Sequence, residues 1–174
     1  NDEADYNVAP TRDIPFVTAG EGGNHKLRVG RWWLVPFWAK ELPKFTLFNA
    51  RSEDADSKPA FRDSFKTKRC VIPADGFYEW TKNAGDGGKD PWFIHLPGGA
   101  PFSFAGLWAY NSTLDVTSCT ILTMPAGDPM RQLHDRQPVI LAPERYNAWL
   151  DPAVPVPEAR AMLADNLDGS LQFY

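Results

Sequence analysis

The residue types that acid–base and phosphate chemistry use recur in this chain in a few short strings. The first holds Glu79, set between Tyr78 and Trp80 at the end of Arg69-Cys70-Val71-Ile72-Pro73-Ala74-Asp75-Gly76-Phe77-Tyr78-Glu79-Trp80. A carboxylate held among aromatics is costly to keep charged, so its pKa is expected to rise, which suits a proton donor or acceptor working near neutral pH. An outward-facing Glu on an amphipathic strand fits the same letters. The second string is Leu133-His134-Asp135-Arg136-Gln137-Pro138, a polar island ahead of an apolar run. Its carboxylate and guanidinium can set the tautomer and charge of the His134 imidazole. Of the other histidines, His25 follows a glycine turn and reads as a surface residue, and His95 lies mid-strand and reads as packing. The third string carries Asn49 and Arg51. Two apart in an extended segment, they point to one face. Asn supplies donor and acceptor, and Arg a fork for phosphate or carboxylate. A turn-stabilising Asn beside a surface Arg would look alike. Thr123, closing an apolar run before Met124-Pro125, adds a hydroxyl that could face a site.

The motifs that are missing narrow the chemistry. The sequence contains no GxSxG, HExxH, GxGxxG or P-loop string, and its histidines are scattered. Neither a serine nucleophile nor a metal or cofactor is therefore expected. Cys70 and Cys119 each sit in an apolar run without a CxxC partner. They read as buried free thiols in a reducing compartment. Arg69 could lower the Cys70 pKa, but the apolar residues that follow argue for burial.

These residues need elements to position them. The 174 residues fit one domain, and a hydrophobic fraction of 43% is enough for a core. Sixteen Pro and 13 Gly cut the chain into short elements and argue against a helical bundle. Strands are expected at residues 14–18, 26–35, 45–50, on both sides of a turn at 73–76, and at 92–96, 102–108 and 118–123, with a short buried run at 138–141. The polar, glycine-rich stretch at 83–90 joins its flanks as a hairpin. A short helix is expected to be capped by Ser57, with Pro59 in its first turn and Phe61 and Phe65 on one face. Amphipathic helices open at Pro143-Glu144, running through Leu150, and at Pro157-Glu158, running to about Ala164. The fold class is α+β: a single β-rich domain with an antiparallel or pseudo-barrel sheet and short peripheral helices.

The net charge of −4 does not by itself suggest a nucleic-acid partner. Its distribution is more informative. The ends are acidic (Asp2, Glu3 and Asp5; Asp151, Glu158, Asp165 and Asp168 against Arg160), whereas Lys58, Arg62, Lys66, Lys68 and Arg69 stand against Asp63 alone. That stretch reads either as a basic face or as a solvated helix surface. Seven Trp are many for this length and fit clefts or binding surfaces. No apolar run approaches the ~18–20 residues that span a membrane, and no signal peptide is visible, so a soluble cytoplasmic protein is expected.

Several strings, taken together and in order, resemble the SRAP family (SOS response-associated peptidase), the abasic-site processing proteins. They are Asn7-Val8-Ala9-Pro10-Thr11, Trp33-Leu34-Val35-Pro36-Phe37-Trp38-Ala39-Lys40, Asn49-Ala50-Arg51-Ser52-Glu53, Lys58-Pro59-Ala60-Phe61-Arg62, the residues 69–80 quoted above, Phe104-Ala105-Gly106-Leu107-Trp108 and His134-Asp135-Arg136-Gln137-Pro138-Val139. The resemblance covers nearly the whole chain. It implies a protein that binds single-stranded DNA and crosslinks to abasic sites; a monomer free of metal and cofactor is expected. In that family the α-amine of an N-terminal cysteine forms a Schiff base with the ring-opened sugar, and its thiol closes a thiazolidine. By motif, Asn49 orients that amine, Glu79 moves protons, and His134 assists the Schiff-base chemistry. Arg51 and Arg136 fall where phosphates bind, Trp38 and Trp80 where aromatics meet bases, and Asn7 and Thr123 where pocket residues support them. A peptidase step on the protein's own start is also implied. The family begins Met-Cys-Gly-Arg and continues past Leu171-Gln172-Phe173-Tyr174, so residues 1–174 are expected to be one SRAP-like domain clipped at both ends, with the cysteine upstream of Asn1. Two other readings of the same residues stand beside this one: a non-catalytic single-strand binding module, and a small-substrate hydrolase using Glu79 and His134.

Overall fold

A computed structural model of the chain describes Asp5, residues 7–83, Gly85 and residues 87–174; Asp2 and Glu3 of the acidic opening, and part of the glycine-rich loop at 83–90, lie outside the described residues. The strands are β1 (Asp13–Ala19), β2 (His25–Trp32), β3 (Asn49–Arg51), β4 (Arg69–Ala74), β5 (Phe77–Lys82), β6 (Lys89–His95), β7 (Phe102–Asn111), β8 (Val116–Pro125), β9 (Arg136–Pro138) and β10 (Gln172–Phe173). Short helices α1 (Arg62–Thr67), α2 (Tyr146–Leu150) and α3 (Val156–Met162) complete a β-rich α+β fold. No helix among the described residues is long and apolar enough to cross a membrane.

The large sheet runs β2-β1-β4-β7-β8-β3, with β9 also on β8, and a second contact between β2 and β8 closes a ring. That closure is parallel and pairs only Arg31 with Ser118 and Trp32 with Cys119, so the ring is not a continuous barrel. Gly30 permits it, because a Cβ there would lie 2.6 Å from the Thr117 carbonyl oxygen. β3 is parallel to β8 as well, so the sheet is mixed at this edge rather than wholly antiparallel. The long connection from β2 to β3 allows this; a tight turn would have forced an antiparallel pair. Within residues 45–50 only the end is strand, and Phe45 is left exposed.

The small sheet is β10-β6-β5. It corrects the expected turn at residues 73–76. Pro73 and Ala74 still belong to β4, opposite Ser103 and Phe102, and β5 pairs with β6 instead. The chain crosses from one sheet to the other at Asp75-Gly76. Turn-forming letters mark such a crossing and a hairpin alike. The hairpin expected around 83–90 is present, with Lys82 opposite Lys89.

Apolar residues fill both faces of the large sheet. One face packs Val71, Leu107 and Leu122 against Phe65, Trp149 and Met162 from the helices. The other packs Phe16, Ile72, Phe104 and Ile121 against Ile94 of the small sheet. Phe61 and Phe65 are both buried as their spacing predicts, but α1 begins only at Arg62. Ser57 does not cap it; its hydroxyl donates to the Asp54 carbonyl at 3.0 Å within a run of turns.

Arg69 also departs from expectation. It is 1% exposed and belongs to no basic face. Its guanidinium donates to the carbonyls of Phe65, Lys66, Trp149, Asp151 and Val154. Several of these acceptors are the free carbonyls at the C-terminal ends of α1 and α2, where the helix dipoles favour a cation. Lys58 is tied to Asp54 at 3.0 Å, so the basic stretch is split between structure and surface.

Candidate functional site

The site is built where β8 ends, because β3 flanks one edge of that strand and β9 the other. Arg51 is level with Thr123, Thr123 with Pro138, and Pro125 with Arg136. Residues in register share a face, so Asn49, Arg51, Thr123 and Arg136 all project the same way. Asn49 and Arg51 are exposed on either side of buried Ala50, as their spacing predicts.

Arg136 is the hub. Its guanidinium forks onto the Glu53 carboxylate, with Nη1 on Oε1 and Nη2 on Oε2 at 2.9 Å. Nη2 also donates to the carbonyl and hydroxyl oxygens of Thr123, both at 3.0 Å. Arg51 Nη2 approaches Glu53 Oε1 at 3.9 Å. The hydrogen bond from Arg136, helped by the charges of Arg136 and Arg51, lowers the Glu53 pKa to about 2, and the same carboxylate raises that of Arg136. Thr123, 8% exposed, is thereby committed to fixing Arg136. Glu53 carries no assigned role in the sequence; it stands in a turn just past the end of β3, where strand alternation gives no sign of it.

His134 reaches the cluster through the backbone. Its Nδ1 accepts the Arg136 N–H at 3.0 Å. This leaves the proton of the neutral ring on Nε2. When the ring is charged, Nδ1–H has Asp135 Oδ1 and the Arg136 carbonyl, each at 3.2 Å, as acceptors.

Glu79 is placed differently from expectation. Strand alternation puts it on the inner face of the β5–β6 hairpin with Phe77 and Thr81, while Tyr78 and Trp80 turn to the outer face. Its chain neighbours therefore do not enclose it. The aromatic beside it is Trp92, directly across on β6. Phe77, next along the same face, meets Phe104 of β7, so this face of the hairpin looks toward the large sheet. Glu79 Oε1 accepts the N–H of Trp80 at 3.2 Å.

Trp38 is half exposed on a loop that buried polar groups hold in place. Asn111 Nδ2 donates to the carbonyls of Pro36 and Ala39, both at 2.8 Å, and Asn111 Oδ1 accepts the Leu114 N–H. Ser118 Oγ accepts the Val35 N–H at 2.8 Å. Asn111 and Ser118 gave no signal in sequence beyond being polar within apolar strands. Asn7 is exposed, its N–H bonded to Asp5. Among the described residues, Asn7, Trp38, Glu79 and Trp80 make no hydrogen bond or ion pair with Arg51, Glu53 or Arg136. Cys70 and Cys119 are buried, as expected. Burial pushes the Cys70 thiol well up and that of Cys119 to about 12, so neither is a ready thiolate.

Comparison with known proteins bears on this arrangement. The chain is 43% identical over 151 residues to the abasic site processing protein YoaM of Bacillus subtilis, covering 84% of this chain and 66% of that protein. It is 29% identical over 170 residues to the abasic site processing protein YedK of Escherichia coli, covering 97% and 74%. The crystal structure of a Bordetella bronchiseptica protein superposes with a TM-score of 0.84 at 28% identity, covering 99% of this chain and 88% of that one. The chain thus spans slightly less than two thirds of the Bacillus relative's length, at 66%. The family model described as SOS response associated peptidase (SRAP) matches residues 1–174, and the chain belongs to that family.

Proposed function

We propose that the protein processes abasic sites in single-stranded DNA by covalent capture. The observation that carries this reading is the pair of arginines, Arg51 and Arg136, held on one face at the end of β8 beside Asn49 and His134. The exposed guanidinium fork of Arg51 suits a backbone phosphate, and Arg136, whose own fork is held by Glu53 and Thr123, adds its positive charge beside it. Kinship with proteins named for abasic site processing supports the same substrate. In this scheme Arg51 and Arg136 take phosphates flanking the lesion, and Trp38 and Trp80 stack on neighbouring bases. Asn49 orients the attacking amine. Glu79 moves protons as the sugar opens and the ring closes, and His134, with Nε2–H free to donate, assists the Schiff-base step. Thr123 and Asn7 support the pocket.

The nucleophile must offer an α-amine and a thiol on one residue, which no internal cysteine can. Cys70 and Cys119 are doubly unsuited, being buried as well. We propose that a cysteine at the natural N-terminus fills the role, exposed by cleavage of the amide ahead of it at the same site. We further propose a single domain acting as a monomer in the cytoplasm, without metal or cofactor.

The test is to incubate full-length protein with single-stranded DNA carrying an abasic site and run the product under denaturing conditions. A slow-migrating adduct, lost when the N-terminal amine is blocked, is the expected outcome. Salt-sensitive binding without any adduct would instead mark a non-catalytic binding module.

A further inference from the structure

The β5–β6 hairpin turns its second face to solvent. Its inner face carries Phe77, Glu79, Thr81, Trp92 and Ile94. Alternation sends Tyr78, Trp80 and Lys82 of β5, and Lys89, Phe93 and His95 of β6, to the outer face. The rings there form an unbroken ladder. Trp80 meets Tyr78 at 6.1 Å between centroids, Tyr78 meets Phe93 at 5.2 Å, Phe93 stacks on His95 at 5.7 Å, and Tyr174 touches both Phe93 and His95. The ladder is not a buried core, because Trp80, Tyr78 and Tyr174 are 51%, 42% and 75% exposed. Gly76 makes room for it: a Cβ there would stand 2.3 Å from the Phe93 ring.

Among the described residues, charge on this face is one-sided. Lys82 and Lys89 lie directly opposite each other at the hairpin's end. Like charges in that position are destabilising unless an anion sits between them. The acidic residues of both strands point the other way: Glu79 alternates inward, and Asp90 is inward and bonded to Asn83. Lysine is depleted at protein–protein interfaces, whereas aromatics next to cations suit single-stranded nucleic acid.

We propose that the outer face of the hairpin is a stacking track that carries single-stranded DNA past Trp80. Bases stack on Trp80, Tyr78 and Phe93, and Lys82 and Lys89 take backbone phosphates at the hairpin tip. About two or three bases fit, as on other sheet surfaces that present aromatics to nucleic acid. The inference rests on the single-strand DNA reading above and adds a second segment to it, running on from Trp80 away from the lesion.

The test measures binding of full-length protein to two abasic single strands, one a trinucleotide and one of about fifteen nucleotides, by fluorescence anisotropy. Tyr78→Ala is expected to weaken binding of the long strand about fivefold or more, and Tyr78→Phe to restore it. The double variant Lys82→Gln/Lys89→Gln, which changes only exposed side chains, is expected to lower the salt slope for the long strand by about 1.4. Both deficits are expected to shrink on the trinucleotide. Parent-like binding of the long strand by Tyr78→Ala and by the lysine variant, while the parent protein forms its adduct, would overturn the track and leave abasic-site capture intact. A parent that binds neither strand and forms no adduct would overturn both.

Discussion

Replacing Glu53 with Gln removes the carboxylate that Arg136 and Arg51 share. Its pKa is lowered from 4.5 to about 2. At ~1.36 kcal/mol per unit this corresponds to roughly 3 kcal/mol if no solvent screened it. The Glu53 side chain is 41% exposed, so screening cuts that figure, and about 1 kcal/mol at neutral pH is the reasonable expectation. The sign follows from the direction of the shift. A carboxyl whose folded pKa is depressed stabilises the fold above its unfolded value near 4.5 and loses that contribution as pH falls toward 2. Urea unfolding should therefore show the Glu53→Gln variant about 1 kcal/mol weaker at pH 7, with the gap closing between pH ~4.5 and ~2. In a thermal scan the neutral-pH loss amounts to about 2–4 °C. A gap that is absent at pH 7, or that persists unchanged to the lowest pH, refutes the pairing as an energetic contribution. The same variant leaves Arg136 without its counter-charge, so the salt slope of single-strand binding should steepen by about 0.7.

Other substitutions test the parts separately. Arg69→Met strands five carbonyls, those of Phe65 and Trp149 in buried hydrogen bonds, and should cost about 3–5 kcal/mol in urea unfolding, a loss that a mere surface cation would not show. Asn111→Ala should cost about 1–3 kcal/mol. It also releases the loop bearing Trp38, which iodide quenching of tryptophan fluorescence should detect. Glu79→Gln should slow adduct formation while leaving DNA affinity nearly unchanged; a large affinity loss would assign Glu79 a structural role instead.

What could be read from the letters was mostly local. Asn49 and Arg51 share a face because alternation over three residues needs no knowledge of the partner strand. The pairing of Phe61 with Phe65 survived for the same reason, although the helix starts later. Glu79 shows where local reading fails. Its flanking aromatics are on the opposite face by the same alternation, and the ring beside it, Trp92, arrives from β6. Arg69 read as one more surface cation because its acceptors at Trp149, Asp151 and Val154 come from the far end of the chain. Glu53 gives no local sign of its role because its partner Arg136 is brought to it only by β8, through pairings to β3 on one edge and β9 on the other. The turn letters at 73–76 marked a change of direction but could not say that β4 and β5 belong to different sheets.

Capture through the N-terminal cysteine is tested most directly by peptide mapping, by mass spectrometry, of the product that full-length protein forms with abasic single-stranded DNA. The expected product survives denaturation, and its sugar remnant is carried on the N-terminal cysteine peptide, with the Cys70 and Cys119 peptides unmodified. Attachment at Cys70 or Cys119, or no covalent product under conditions where the strand is bound, would contradict capture by the N-terminal residue.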